Sequence, residues 1–303
     1  MKFLKLKNVL SCFDGISCGQ EALQQAGITY ENYYSSEIDK IPMKITQKNH
    51  PATIQLGDIS NWKSWDIENI DLIMGGSPCQ GFSSVGKGLN FEDPRSKLFF
   101  TFVDIIKHYK PKYFLLENVN MKQEWIAIIS GLMGVEPILL NAKLVSAQSR
   151  PRLYWSNWKI TPPVDTGVVL SSILETDKSW KPAHIVGRRI NPITLKRDDY
   201  NKSIPILQTL QVKYNHDKSG CLTTVSKDAV LSPLASGRYL DAYKTLTKNS
   251  DWRDLTSVEC ERLQGLSDNY TAPASDSARR KMLGNGWNVS IIVHILNELK
   301  SSI

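Results

Sequence analysis

Through the first half of the chain, short apolar runs alternate with segments of helical period. The pattern predicts strands over Val9 to Cys12, Tyr33 to Ser36, Asp71 to Met74 and Tyr113 to Leu116. It predicts helices over Gly19 to Ala26, Lys40 to Asn49 and, with an amphipathic pattern, Ser96 to Tyr109. Ile138 to Leu140 and Leu153 to Trp155 complete the strand set. Strands alternating with helices are the mark of a parallel sheet covered on both faces. From about Thr161 the texture changes. Pro162, Pro163, Pro182, Pro192 and Pro205 interrupt a polar stretch rich in Lys, Arg, Ser and Asp, and helical period returns only at Ser257 to Gln264 and Ser290 to Leu299. The reading is an α/β protein with a larger unit of residues 1–157 plus 276–303. A smaller, mostly β and irregular unit covers residues 158–275.

Composition narrows this picture only a little. The 303 residues carry a formal net charge of +7, which fits a polyanionic partner. No apolar run reaches membrane-spanning length, and the opening Met1 to Lys7 alternates apolar and basic residues rather than forming a secretory core. The five cysteines, Cys12, Cys18, Cys79, Cys221 and Cys260, are odd in number and none are paired at Cys-x-x-Cys spacing. Neither a disulfide framework nor a zinc cluster is suggested, and reduced thiols fit a cytosolic compartment. The five histidines are scattered, so no metal site is expected.

The chemistry concentrates at the ends of the predicted strands. After Asp71 to Met74 comes Gly75-Gly76-Ser77-Pro78-Cys79-Gln80-Gly81-Phe82-Ser83. Two glycines allow a sharp turn and Pro78 fixes the residue before the thiol, so one cysteine is presented where ligands bind in open α/β sheets. Phe13-Asp14-Gly15-Ile16-Ser17-Cys18-Gly19 follows the first strand as a small-residue turn with a helix N-terminus behind it. It lacks the Gly-x-Gly-x-x-Gly spacing of a pyrophosphate site. Glu37 ends the second strand, about 20 residues past that turn, where a carboxylate accepts hydrogen bonds from ribose hydroxyls. Glu117 follows Tyr113 to Leu116, and burial there favours the protonated, proton-donating form. Arg150 and Arg152, two residues apart in an extended segment, face the same side.

Gly-Gly-Ser-Pro-Cys-Gln with Gly-Phe-Ser resembles the catalytic motif of the cytosine-C5 DNA methyltransferases. Further motifs follow in that family's order over residues 9–155 and 255–292: Glu117-Asn118-Val119, Gln148-x-Arg150-x-Arg152, Leu255 to Gly265, and Gly284-Asn285-Gly286-Trp287-Asn288-Val289. The Phe-Asp-Gly-Ile turn and the inserted Trp287, in place of the usual bacterial Gly-Asn-Ser/Ala-Val, lean toward the animal de novo enzymes. The resemblance implies a Rossmann-like S-adenosylmethionine-dependent fold with a second, smaller target-recognition domain. It implies S-adenosyl-L-methionine as cofactor, S-adenosyl-L-homocysteine as product and no metal. Phe13, Asp14, Gly15, Ile16, Ser17, Cys18, Glu37, Ile38, Asp58, Ile59, Pro78, Leu98, Asn285, Gly286 and Trp287 would form its pocket, with Asp58 on the adenine amine and Ile38 and Ile59 against the ring. Cys79 would add to C6 of cytosine and make C5 nucleophilic. Glu117 would hold N3 and the exocyclic amine, Arg152 the base O2, and Arg150 would order the site. The Leu255 to Gly265 motif is expected to be scaffolding.

The substrate implied is double-stranded DNA, with the target base flipped from the stack. Gly86 and Gly88 give the loop after Cys79 hinge freedom, Lys87 suits a phosphate, and Val85 stands where a loop residue enters DNA in the animal enzymes. Gln80, Ser83, Val85, Lys87 and Asn118 are candidate DNA contacts, as are Arg188, Arg189 and Arg238, with Lys196, Arg197 and Lys227 beside them. A branch of the family methylates transfer RNA, but it typically carries Pro-Pro-Cys and Cys-Phe-Thr, whereas this chain has Ser-Pro-Cys and Gln-Gly-Phe-Ser. A non-catalytic DNA-binding relative would lack the cysteine, the acid or the cofactor turn, and all three are here. The expectation is a free-standing, monomeric enzyme of the bacterial cytoplasm and nucleoid, of prokaryotic or phage type, with no membrane association; whether a cognate restriction endonuclease is its functional companion or it is an orphan is not legible. The recognition sequence is not legible.

Overall fold

The computed structural model describes residues 3–77, 94–176, 179–189, 191–194, 198, 200–212, 217–225, 228–233, 244–245 and 252–303. In chain order the elements are β1 (Lys5–Cys12), α1 (Cys18–Gln25), β2 (Thr29–Ser36), α2 (Lys40–Asn49), β3 (Ile54–Gln55), β4 (Ile70–Gly75), α3 (Pro94–Tyr109), β5 (Tyr113–Val119), α4 (Gln123–Met133), β6 (Ile138–Asn141) and β7 (Pro151–Ser156). Then follow α5 (Leu170–Ile173), β8 (Lys181–Arg189), β9 (Ile206–Val212), β10 (Val230–Ser232), β11 (Lys244–Thr245), β12 (Arg253–Asp254), α6 (Ser257–Gln264), α7 (Asp276–Asn285) and α8 (Val289–Ser301).

Seven strands form one sheet in the order β3-β2-β1-β4-β5-β7-β6. Strands β3 to β5 of that array run parallel, while β7 is antiparallel to both of its neighbours. The parallel expectation therefore holds for five strands and is corrected for the last two. The strand order reverses between β1 and β4, whose ends pair Cys12 with Gly75. Such a reversal opens a crevice outside the carboxyl ends of the strands. Because β7 runs backwards, its N-terminal end, with Arg152, joins the same edge.

Side chains alternate between two cores, as the pleat requires. On one face Met74, Leu115 and Tyr154 pack with Ala22 and Leu23 of α1 and with Ile291, Ile292, Ile295, Leu296 and Leu299 of α8. On the other, Ile73, Leu116 and Trp155 pack with Phe99, Phe102 and Ile105 of α3 and Ile126 and Ile129 of α4. The fully buried Trp155 indole donates to Ser130 Oγ at 3.1 Å, so its polar atom is not stranded.

Three helices have no counterpart in the sequence expectation: the short α5, α4 and α7. Helix α4 starts at Lys122 with no side-chain cap, so the usual start signal is missing. Helix α7 buries only Met282, Leu283 and Gly284 near its end, and Arg279, Arg280 and Lys281 interrupt any apolar stripe. Strand β5 continues through Val119, so Glu117 sits within the strand rather than after it.

A second, antiparallel sheet has the order β11-β9-β8-β10-β12. Ala183, Ile185, Leu210, Val212 and Val230 form its small core, with Trp252 against it. Residues after it return to the larger core. Helix α6 opens with a capping box between Thr256 and Glu259 and ends on Gly265 at φ 75°. Glu259 and Glu261 are wholly buried yet satisfied. Arg253 donates from both terminal nitrogens to Glu259, and Glu261 accepts from Asn269 N, Thr271 N and Arg279. No described helix is long and apolar enough to cross a membrane.

Candidate active site

The site begins with backbone held in an unusual shape. Phe13, Gly15 and Ser17 all have φ near +60°, a region that only glycine occupies without cost. Local bonds hold them there. The half-buried Asp14 carboxylate accepts from Ser17 Oγ, from Tyr33 Oη at 2.9 Å and from Ser35 Oγ at 2.8 Å. Burial pushes its pKa up, and the hydroxyl donors offset only part of that. Asp14 is therefore the internal brace of the turn. Tyr270 donates to Ile16 O at 2.9 Å, and Thr46 to Gly15 O at 3.3 Å.

Glu37 closes the turn from the end of β2. One carboxylate oxygen accepts Gly15 N–H at 2.9 Å, and the other accepts Ile38 N–H and Asp39 N–H, both at 2.8 Å. A carboxylate has about four lone-pair sites, so these three bonds fix its orientation and leave room for a hydroxyl donor. Beside it lies a cavity of about 360 Å³, lined from above by Phe13, Gly15, Ile16, Cys18 and Glu37, and from below by Gly76, Ser77, Glu117, Arg150, Arg152, Asn285, Gly286 and Trp287. Two halves of the expected site thus share one wall-to-wall space.

Glu117 is 9% exposed and each of its oxygens holds one donor. Arg152 Nε lies 3.0 Å from Oε1, and Trp287 Nε1 donates to Oε2 at 3.1 Å. Both carboxylate oxygens are thus engaged by donors from separate elements. Burial works against the Arg152 charge, but the Glu117 carboxylate and Cys221 outweigh it and raise its pKa. Arg150 lies just before β7 and is buried. It donates to Leu222 O at 2.8 Å, Gly284 O at 3.0 Å and Gly286 O at 2.9 Å. Both guanidiniums approach Cys221 Sγ, at 3.3 Å and 3.8 Å, so they do share a side.

Other expected residues fall differently. Asn118 is buried and turned inward. It donates to Ser77 Oγ at 3.2 Å and accepts Val119 N–H, so it anchors the end of the β4 loop, and it lines the cavity beside Glu117. Ile38 is exposed at the rim and Ile59 is buried. Asp58 accepts Ser60 N–H and caps the 3₁₀ turn Ile59–Ser64. Leu98 packs on the α3 core beside Phe13. None of Ile38, Asp58, Ile59, Leu98 and Ser17 lines the cavity itself. Arg188 and Arg189 are half-buried at the end of β8. Pro78, Cys79, Gln80, Ser83, Val85, Lys87, Lys196, Arg197, Lys227 and Arg238 lie outside the described residues. Among the described residues no cluster of metal-ligand side chains occurs.

No motif marks the segment around Cys221 to Thr224, which the fold brings to the two arginines from the chain's second half. Gly284 marks the contact: a Cβ there would meet Thr223 C at 2.4 Å and Thr223 O at 2.5 Å, so only glycine allows the approach. Pro42, Lys281 and Met282 also line the cavity unannounced.

An open α/β sheet with a strained small-residue turn at its switch point, and a carboxylate and two arginines across the same crevice, defines an enzyme-like ligand cleft. Comparison with known proteins agrees with this and is more specific. The family model for C-5 cytosine-specific DNA methylase matches residues 7–127 and 168–301. The type II methyltransferase M1.ScrFI of Lactococcus lactis subsp. cremoris is 30% identical over 89% of this chain and 72% of its own length. M.HaeII of Haemophilus aegyptius is 28% identical over 100% of this chain and 95% of its own. The orphan methyltransferase M.Rho11sI of Bacillus phage rho11s is 37% identical, but the match takes in 48% of this chain and 32% of the phage protein. Among solved structures, DNMT2 of Spodoptera frugiperda overlays with a TM-score of 0.66 at 20% identity, covering 97% of this chain and 99% of that one, which speaks for the fold. The chain belongs to the C-5 cytosine-specific DNA methylase family and is a DNA cytosine-5 methyltransferase.

Proposed function

We propose that this chain methylates C5 of a cytosine flipped out of double-stranded DNA, through a covalent bond between Cys79 and C6 of the base. The observation that carries the reading is the shared cavity. Its upper wall is the Phe13–Cys18 turn with Glu37, its lower wall is Glu117 with Arg152, and Ser77 at its edge is two residues before Cys79.

The upper wall fits S-adenosylmethionine. Glu37 is oriented by three backbone donors and retains acceptor capacity for a ribose hydroxyl, and the apolar Ile38 stands exposed at the rim where a purine ring would cover it. When bound, that group supplies a methyl on a sulfonium centre. The protein's own residues do the rest. The Cys79 thiolate adds to C6, which turns the 4,5 bond into an enamine and concentrates electron density at C5. Glu117 faces N3 and the exocyclic amine, and takes a proton-sharing role as charge develops there. Arg152, already fixed on Glu117, has donors left for the base O2. Arg150, with its terminal nitrogens spent on three carbonyls, holds the floor in place. Loss of the C5 proton then allows Cys79 to leave, and the product cofactor is S-adenosylhomocysteine.

The smaller sheet and its loops, within residues 158–275, are proposed as the target-recognition unit, with Arg188 and Arg189 near its edge. The type II names of several relatives suggest that the enzyme protects a recognition site against a restriction endonuclease, and the phage relative suggests an orphan alternative. We place it in the bacterial cytoplasm, acting as a monomer.

Bisulfite sequencing of DNA from a host expressing the chain tests activity and target together. Cys79→Ser is expected to abolish methylation while sparing cofactor binding. Duplex bearing 5-fluorocytosine is expected to trap a covalent complex with the wild type. Turnover persisting in the serine variant removes Cys79 from this role, and methyl transfer to tRNA but not to duplex DNA overturns the substrate.

A further inference from the structure

The geometry points to Trp287 as a positioning residue for Glu117, linking the cofactor turn to the base-binding carboxyl through its indole N–H. This rests on the proposed role of Glu117 toward cytosine, and adds a part for Trp287 beyond walling the cofactor pocket.

Three observations carry it. First, the indole Nε1 donates to Glu117 Oε2 at 3.1 Å while Arg152 holds Oε1 at 3.0 Å. The two donors come from separate elements, one from the segment between α7 and α8 and one from β7. Together they fix the carboxylate plane, which a single contact would leave free to rotate about its last bond. Second, the hydrogen bond lies directly against the loop that leaves β4. A Cβ on Gly76 would meet Trp287 Nε1 at 2.8 Å and Glu117 Oε2 at 3.1 Å. No positive φ is found at Gly76, so what requires glycine there is this close approach and not backbone conformation. Third, the far edge of the same ring rests on α1. A Cβ on Gly19 would meet the ring's Cζ3 at 3.5 Å, and Gly19 directly follows the turn that Glu37 closes beside the cavity. One rigid aromatic plate therefore touches the start of α1 at one edge and aims its only polar atom at Glu117 from the other.

The consequence is that the indole N–H, separately from the ring's bulk, sets the carboxyl in the direction the base requires. Trp287→Phe keeps an aromatic ring in the wall and removes the donor, together with the edge that bears Cζ3. Gly76→Ala keeps the tryptophan and pushes the donor away.

The test combines a spectrum with kinetics. In 15N-labelled protein without ligands, the indole N–H resonance that disappears in Trp287→Phe is thereby assigned to Trp287. It is expected to shift in Glu117→Gln and in Gly76→Ala. Both Trp287→Phe and Gly76→Ala are expected to lower the single-turnover methylation rate roughly 10-fold or more, the usual weight of one hydrogen bond to a charged group. S-adenosylmethionine affinity, by calorimetry, is expected to stay within about threefold of wild type, as a contact made by the ring and not by the donor implies. In the Glu117→Gln background, adding Trp287→Phe is expected to cost much less than it does alone. An indole resonance indifferent to Glu117→Gln overturns the proposal. So does a Trp287→Phe rate loss that follows entirely from weaker cofactor binding, or one that adds in full to Glu117→Gln. A wild-type chain inactive on every cytosine-containing duplex overturns the underlying reading instead, and the catalytic part of this inference with it, even where the resonance responds as described.

Discussion

Gln148 Oε1 accepts the backbone N–H of Leu222 at 2.8 Å, although 74 residues separate them. The same amide donates to Leu263 O and to Gln264 Oε1, each at 3.2 Å. One wholly buried side chain thus ties the approach to β7, the Cys221–Thr224 segment and the end of α6. It also explains how residues from the chain's second half come to floor the cavity. Gln148→Ala strands Leu222 N–H away from water, along with acceptors on α6. It is expected to lower stability by about 1–3 kcal/mol. Urea unfolding with an unchanged midpoint would show that the tie carries no stability.

Glu37→Ala is expected to weaken S-adenosylmethionine binding by about 1.5–3 kcal/mol, the usual range for hydrogen bonds to a charged group. The structure adds a second effect. The substitution also releases the amides of Gly15, Ile38 and Asp39, so the turn itself loosens. Calorimetry reads the affinity, and hydrogen exchange at Gly15 separates loosening from loss of a direct contact. Unchanged affinity rejects the assignment of Glu37.

His50 provides a pH signature of the fold. Burial lowers its pKa below the usual 6.5, and Glu21, 3.7 Å away, opposes this only in part. Its ring also meets Tyr270 Oη at 3.1 Å. A histidine depressed in the native state binds its proton more readily when unfolded, so stability is complete above about pH 6.5 and falls as pH drops toward the native value. Thermal unfolding between pH 7 and 5 is expected to show that loss, and His50→Gln is expected to flatten it. An unaltered slope in the variant assigns the pH dependence to other groups.

Replacing residues 158–255 with the matching segment of a related enzyme is expected to move sequence preference and leave the chemistry intact. Neutralising Arg188 or Arg189, where it serves a phosphate, is expected to weaken binding to all duplexes alike and to lower the salt slope by about one unit. A base-reading arginine instead relaxes one position, at a cost of roughly 1–3 kcal/mol. A chimera that keeps the original target places recognition outside this segment.

Local patterns made much of this legible. Val9 to Cys12 is a run of uniformly buried residues, as a central parallel strand should be, and α2 spans the residues its period predicts. The turn, Glu37, Glu117, Arg150 and Arg152 each stand beside the cavity because all follow from strand ends, which a sequence can show. What could not be read was set by distant partners. Asn118 turned inward because Ser77 offered it a bond, and Glu117 gained its donors from β7 and from Trp287, 170 residues away. The reversal of β7 leaves no trace in a pattern of alternation, which is the same in either direction. Helix α7 is stabilised by contacts of its charged residues, such as Arg279 with Glu261, rather than by an apolar stripe.

The packing of α8 on α1 has a kinetic meaning. Tyr270 reaches Ile16 across 254 residues of sequence, and Lys300 reaches Ala26 across 274. Such pairings carry the full entropy of closing a very long loop, and a topology rich in them folds slowly. β1 and its turn lie far ahead, along the chain, of the helices that clamp them. Until Tyr270 meets Ile16 O, only the bonds around Asp14, Thr46 and Glu37 hold Phe13, Gly15 and Ser17 in their unfavourable backbone region. The turn is therefore fully walled only once these distant pairings have formed. In the interval, the apolar underside of α1 is open to chaperones.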